Sequence, residues 1–146
     1  TWNAGVNGFL REIDDLILLQ GFFQTLRFQN VFAATSQGLE GTFNWTSRNS
    51  RWQISGNATW QDFRVRSTGN PAADAFAGDR IPTQPNLFAN GAIRYQWPGF
   101  ANKDDALNFF LNSRYVNEFF LSIESLGSVN GKLTIPSQFT QNLGIS

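Results

Sequence analysis

Two adjacent carboxylate pairs, Asp14-Asp15 and Asp104-Asp105, are the residues of this sequence that come nearest to a catalytic pattern. Paired carboxylates can act as general acid and base or hold a divalent cation. On an extended strand, however, neighbouring side chains point to opposite faces, so neither pair can converge on one substrate without a turn. Calcium binding by an external loop is a minor alternative, because no loop has the ligand spacing of a known calcium site.

The composition removes most other chemistry. The chain has no Cys and no His, which excludes a thiol nucleophile, the most common general base and the usual ligands of transition metals. Its 11 basic and 11 acidic residues give a net charge of zero, and no basic run could neutralise a nucleic-acid backbone. We therefore predict a protein that is not an enzyme, with no catalytic residue, no metal site, no cofactor and no nucleic-acid partner.

The strongest pattern of the chain is a strict alternation at residues 51–60, RWQISGNATW. Even positions are apolar or small and odd positions are polar, which is the period of a strand with two unlike faces. Trp52 and Trp60 stand at the two ends of the apolar face, and a tilted strand of this length spans roughly 20 Å between them. A strand of a soluble sandwich can alternate in the same way, but this height favours a lipid-facing band bounded by two girdles of aromatic residues.

The same alternation recurs further along the chain, which we interpret as six antiparallel strands. The predicted strands cover residues 3–19, 24–45, 52–60, 87–97, 107–116 and a segment that begins at 139. Beyond Trp60 the apolar positions change parity at Phe63 and Val65, which indicates a bulge or the exit of the strand from the lipid band. A break at Gly21 separates the first two strands.

The connections alternate between short and long. Polar turns are predicted at 46–50 and 98–105, and long loops at 67–85 and 118–136, the second with a tight turn at 129–132. Bacterial barrels have short turns on the periplasmic side and long loops outside, which sets the expected orientation. No run of eighteen apolar residues occurs, so no membrane-spanning helix is predicted, although that test does not detect a barrel.

Five phrases, taken in their order, resemble the C-terminal barrel of TonB-dependent outer-membrane receptors. They are NGFLREIDDLI at 7–17, RFQNVFAATSQGLEGTFNW at 27–45, WQISGNATWQDF at 52–63, GDRIPTQPNLFANGAIRYQW at 78–97 and IPSQFTQNLGIS at 135–146. The resemblance covers nearly the whole chain and implies one partial barrel domain at residues 1–146. A full transporter has roughly twenty-two strands, so we expect the family's plug and the remaining strands to lie outside this sequence.

The resemblance implies an all-β, antiparallel, up-and-down transmembrane barrel and a role for each face of its wall. The membrane-interface aromatics would be Trp45, Trp52, Trp60, Tyr95 and Trp97. The lumen-facing residues would be Gln53, Asn57, Asn90, Arg94, Asn112 and Arg114. Ligand contact at the outer mouth would fall to Arg64, Arg66, Asp79, Arg80 and Asn117. A hydrated wall whose polar groups satisfy water and each other is the simpler interpretation of any one of these polar residues.

The implied function is import of a scarce nutrient, such as an iron chelate, through a plugged barrel in the bacterial outer membrane. Its partners would be outer-membrane lipid, the rest of the barrel and the plug, TonB acting through the plug, and a small-molecule ligand. One alternative is a small outer-membrane barrel or surface protein with a structural or binding role and no coupling to TonB. Another is a soluble carbohydrate-binding β-sandwich that uses exposed Trp and Asn for sugar.

Overall fold

Six long strands form one antiparallel sheet in the computed structural model, which describes residues 1–20, 27–67, 71–127 and 133–146. They are β1 Trp2–Gln20, β2 Arg27–Thr46, β3 Trp52–Arg66, β4 Leu87–Pro98, β5 Ala106–Val116 and β8 Gln138–Ile145. Each long strand pairs with the next one along the chain, in the order β1-β2-β3-β4-β5-β8. The predicted all-β, up-and-down fold is confirmed.

Short connections at 47–51 and 99–105 lie at one end of the sheet, here called the turn end, and long loops lie at the other, the loop end. The loop at 67–86 contains the short helix α1 Pro71–Asp74. The loop after β5 contains β6 Phe119–Phe120 paired with β7 Thr134–Ile135, and a 3-10 helix at Glu124–Gly127. The predicted break at Gly21, the start of the second strand at 24–26 and the turn at 129–132 lie outside the described residues.

The alternating faces of the separate strands are in register with one another. Trp45 of β2 lies opposite Ile54 of β3, and Ile54 lies opposite Ile93 of β4. Because side chains alternate along every strand, matched parity gives the sheet one continuous apolar face and one continuous polar face. We call these the apolar face, which carries Ile54, and the polar face, which carries Asn57.

The register between β2 and β3 distinguishes the two explanations predicted for the change of residue pattern beyond Trp60. These strands pair without a shift from Thr46 and Gln53 to Ala33 and Arg66, so the bulge predicted beyond Trp60 is wrong. The apolar face simply becomes charged, which agrees with the alternative of a strand that leaves the lipid band. The register shifts lie instead between β1 and β2, on either side of Leu16.

The buried core of the described chain is small and lies at the loop end. It consists of Ala34, Val65, Ile81 and Ile123, with four half-buried apolar side chains packed against it. Ala34 pairs with Val65 on the polar face, whereas the two isoleucines come from the two long loops. The loops therefore fold inward over one end of the polar face. No helix among the described residues is long and apolar enough to cross a membrane.

Candidate functional site

The polar face forms a shallow concavity of about 400 Å³ across five strands. Most of its lining residues have amide or hydroxyl side chains, and the others are Arg114 and the small residues Gly56, Gly91 and Ala92. Asn57 and Asn90 are cross-strand partners, and the Asn90 Nδ2 donates a hydrogen bond of 2.9 Å to the Asn57 Oδ1. Amides both donate and accept hydrogen bonds, so this wall can bind water or a polar surface that presents donors, acceptors or both.

All the residues predicted to face the lumen share this polar face. They are Gln53, Asn57, Asn90, Arg94, Asn112 and Arg114, and each is exposed. Asn90 of β4 lies directly opposite Arg114 of β5. Asn112 lies two residues along β5 from Arg114, so it belongs to the neighbouring row of the same face. Their role as the lining of a lumen stays a prediction.

All the aromatics predicted to lie at a membrane interface share the apolar face. They are Trp45, Trp52, Trp60, Tyr95 and Trp97. At the turn end they form ring contacts between strands: Trp52 and Tyr95 have centroids 4.5 Å apart, and Tyr95 and Phe109 have centroids 6.2 Å apart. Trp97 meets Phe100 of the adjacent turn edge-on at 5.7 Å. Such contacts stabilise a row of aromatics along one edge of the face.

The apolar band on this face is inclined to the rows of paired residues. Its upper limit, the one nearer the loop end, is Leu10 on β1, which lies in the same row of paired residues as Asp62 of β3. On β8 the upper limit is Phe139, which lies in the same row as Ala58 of β3 and is therefore nearer the turn end. Its lower limit falls in the same sense, from Trp45 to Trp97. With standard strand spacings, the drop of the upper limit, four residues over five strand spacings, corresponds to an angle of roughly 30°. An inclined band is the expected geometry for tilted strands that cross a flat layer.

Many large apolar side chains of this band are exposed rather than covered. Val6 on β1 is 76% exposed and Leu143 on β8 is 78% exposed, and both tryptophans of the alternation at 51–60 are exposed. In the described residues no second sheet packs over this face, since the other strand pair is the short β6 and β7 of a loop. The apolar face is therefore available to an apolar surrounding.

Two of the predicted ligand-binding arginines lie at the loop end, on the charged extension of the apolar face. The Arg64 Nε donates to both carboxylate oxygens of Asp62 at 2.8 Å, and its Nη1 donates to the Gly78 carbonyl at 2.9 Å. Arg66 pairs with Asp14 and, at 3.6 Å, with Glu12. Both arginines thus have internal partners, and one of the two carboxylate pairs seen in the sequence supplies an ion pair rather than an acid–base site.

The other three predicted ligand-binding residues lie where the two long loops meet the sheet. The Asp79 carboxylate accepts hydrogen bonds from Ser125, and the Arg80 guanidinium lies 5.9 Å from the centre of the Phe120 ring. The Asn117 amide donates a 2.7 Å hydrogen bond to the Asn86 side chain. All five residues therefore lie at the loop end, where Arg64 and Arg80 pair across an isolated backbone bridge. Whether any of them contacts a ligand stays a prediction.

No metal site is built from the described residues, where no group of three His, Cys, Asp or Glu side chains comes together. The second carboxylate pair belongs to the turn between β4 and β5. There the Asp105 carboxylate accepts a 2.9 Å hydrogen bond from Asn102. Its role in the described structure is to shape that turn.

Sequence reasoning missed the aromatic side chains that lie flat on the polar face. Phe9 lies opposite Gly38, and a Cβ at Gly38 would come 2.7 Å from the Phe9 ring and closer still to the Trp60 carbonyl. Phe110 covers Gly144 in the same way. In both pairs a phenylalanine lies opposite a glycine of the neighbouring strand. This pairing is the signal that could have identified them, because a glycine has no side chain and leaves room for the ring.

Comparison with known proteins gives a family but no individual relative. The chain matches the sequence model of the family described as "TonB dependent receptor-like, beta-barrel" over residues 1–146. No curated protein and no solved structure gives a match. The match agrees with the six-stranded up-and-down sheet and its two unlike faces. Because it spans all 146 residues, the chain belongs to the β-barrel family of TonB-dependent receptors.

Proposed function

We propose that this chain forms part of the wall of a plugged outer-membrane barrel that imports a scarce small-molecule nutrient, such as an iron chelate, with energy supplied through TonB. The family consists of outer-membrane receptors with a transport role rather than enzymes, which supports the general assignment. The plug, the remaining strands and TonB would be the partners, and the bacterial outer membrane would be the location.

The single observation that carries this proposal is the inclined apolar band with a polar face behind it. A soluble sandwich would bury that band against a second sheet, yet Leu143 and Val6 are each more than three-quarters exposed. A membrane wall requires the opposite, lipid on one face and water on the other. The inclination adds support because strands tilted in a bilayer would produce it.

Within this proposal each face has a role. The aromatics of the apolar face would anchor the wall at the two bilayer interfaces, as Trp and Tyr do in other barrels. The amide-rich concavity would line the lumen and stay hydrated. The loop end would form the outer mouth, where Arg64, Arg66, Asp79, Arg80 and Asn117 are the candidates for contact with a ligand or for positioning the residues that make it.

The orientation of the wall is tested with single cysteines on neighbouring positions of β5 in the full-length receptor. Leu111→Cys and Asn112→Cys carry a nitroxide label and lie on opposite faces. In lipid vesicles we expect the Leu111 label to collide with dissolved oxygen and the Asn112 label with a water-soluble nickel chelate. Equal access of the nickel chelate to both labels would overturn the proposed membrane wall.

Import is tested separately by uptake into cells that depend on the full-length receptor. Radiolabelled ferric citrate, cobalamin and a maltodextrin are supplied to cells with and without TonB. We expect one probe to accumulate only when TonB and the receptor are both present. Accumulation that continues without TonB would favour the alternative of a barrel that is not coupled to it.

A further inference from the structure

The two long loops are joined to the sheet by backbone hydrogen bonds. Residues 78–81 lie along the edge of β3 that β4 leaves unpaired: the Gly78 N–H donates to the Val65 carbonyl and the Val65 N–H to the Asp79 carbonyl, each at 2.9 Å. The Ile81 N–H donates to the Phe63 carbonyl at 3.0 Å. The first loop thus continues the sheet for several residues and does not hang free above it.

The second loop is joined to the first through Asp79 and Phe120. The Asp79 carboxylate accepts from the Ser125 N–H at 3.0 Å and from the Ser125 hydroxyl at 2.8 Å, so it caps the first turn of the 3-10 helix in the other loop. The Thr83 N–H donates to the Phe120 carbonyl at 2.7 Å. These bonds connect residues about forty positions apart in the chain.

An apolar core closes the space between the loops and the sheet. Ile81 from the first loop and Ile123 from the second both pack with Val65 and Ala34 of the polar face, and Ala34 is fully buried. Neither loop can separate from the other without exposing side chains of this cluster. The same displacement would leave the Asp79 carboxylate and the Thr83 N–H without their partners.

We propose that the two loops form one fixed body, the loop clasp, which narrows the outer end of the polar face and does not open by movement of one loop against the other. The loop clasp consists of residues 78–86 and 119–125. In it, Asp79 is a positioning residue that holds the second loop, and its substitution alters the mouth through loop placement. The inference depends on contacts within this chain and not on the import proposal.

The experiment measures the distance between the two loops in the full-length receptor reconstituted in lipid vesicles. Nitroxide labels are placed at exposed positions of the two loops, Gln84→Cys and Leu121→Cys, and their separation is measured by pulsed electron spin resonance. A matched pair on the exposed polar face of the sheet, Asn57→Cys and Asn142→Cys, gives the spread expected for a rigid body. We expect one distance between the loops, with a spread equal to that of the sheet pair.

Two populations, or a spread clearly wider than that of the sheet pair, would overturn the proposal. The labelled loop pair is measured again with Asp79→Ala and Ile123→Ser introduced together, which removes the carboxylate and the apolar contact. We expect the loop distance to lose its single value while the sheet pair is unchanged. An unchanged loop distance in that variant would show that these contacts do not hold the loops, and would also overturn the proposal. If the variant also changes the distance of the sheet pair, the proposal is judged on the spread of the loop distance measured without Asp79→Ala and Ile123→Ser.

Discussion

The loop end and the turn end of this sheet are built on different principles. Every side chain of the described residues that is less than a tenth exposed belongs to the loop end, where two loops and three strands enclose a small core. At the turn end no described residue forms a layer over the strands, and both faces are open. The loop end resembles a small globular protein in its packing, whereas the turn end is a single sheet.

The two ends depend on different surroundings for stability. The loop end excludes water with its own apolar side chains, as soluble domains do. The turn end keeps large apolar side chains such as Trp97 and Ile145 exposed, so burial of that face has to come from outside the described chain. The first tests therefore place a charge on the sheet away from the loop end and leave the core of the loop end intact.

The largest effect is expected from a charge in the middle of the apolar band. Phe43 lies opposite Gly56, midway between Trp52 and Trp60. Phe43→Arg should destabilise the folded receptor in lipid by about 2–4 kcal/mol, because an arginine at the bilayer midplane loses its hydration. The free energy of unfolding is measured by urea titration of protein folded into vesicles.

Two matched variants sharpen this test. Ile93→Arg lies on the same face at the level of Ile54, nearer to the aromatic row at the turn end, so it should cost less than Phe43→Arg. Thr42→Arg lies on the polar face next to Phe43 and should have little effect. Equal costs at positions 42 and 43 would contradict the assignment of the faces.

The next largest effect is expected in the core of the loop end. Ile123→Ala should cost about 2–3 kcal/mol, in the lower part of the range for buried Ile, because a core this small can partly collapse around the cavity. The cost should appear as local opening, read from hydrogen exchange of the backbone amides at Gly78 and Ile81. Leu121→Ala, at an exposed position of the same loop, serves as the control and should leave those exchange rates almost unchanged.

A glycine under an aromatic ring provides a smaller but more specific test. Gly38→Ala places a methyl group into the Phe9 ring and the Trp60 carbonyl, and should cost about 1–3 kcal/mol from overpacking. Gly41→Ala, three residues further along β2 and on the apolar face, meets nothing within 4 Å and should be neutral or slightly stabilising. Thermal unfolding of both variants in vesicles distinguishes them, and equal melting temperatures would contradict the close packing at Gly38.

The smallest effect is expected on the polar face. Asn90→Ala removes one exposed hydrogen bond to Asn57 and should cost less than about 1 kcal/mol. A double-mutant cycle with Asn57→Ala measures the coupling between the two amides, which should also be small because water can replace either partner. A coupling of several kcal/mol would show that the face is less hydrated than we propose.

The faces and most strand limits could be predicted from the sequence because a strand has a period of two. The alternation at 87–97 predicted β4, which the structure gives as Leu87–Pro98, within one residue. The alternation at 51–60 also predicted which side chains share the apolar face, although β3 continues to Arg66. Where the face becomes charged, the local pattern could not distinguish a bulge from a continuing strand.

The loop clasp could not be predicted because it depends on contacts that have no local period. Asp79 and Ser125 are 46 residues apart, and nothing in either loop sequence indicates that one caps the other. Ile81 and Ile123 stood in segments interpreted as solvated loops, although an isolated isoleucine in such a loop is itself a hint of burial. The candidate ligand residues could be placed at the correct end of the sheet, but not their internal partners.

The inclination of the apolar band has a consequence for the bore of the complete wall. As successive strands are added, each hydrogen-bonded row climbs relative to the membrane plane, so a row followed around the circumference returns displaced along the axis. For a given number of strands, this displacement fixes the radius of a closed cylinder. Deleting one residue from the middle of β3 would therefore turn over the side chains beyond the deletion and change this displacement, and with it the favoured diameter, for the rows beyond that position.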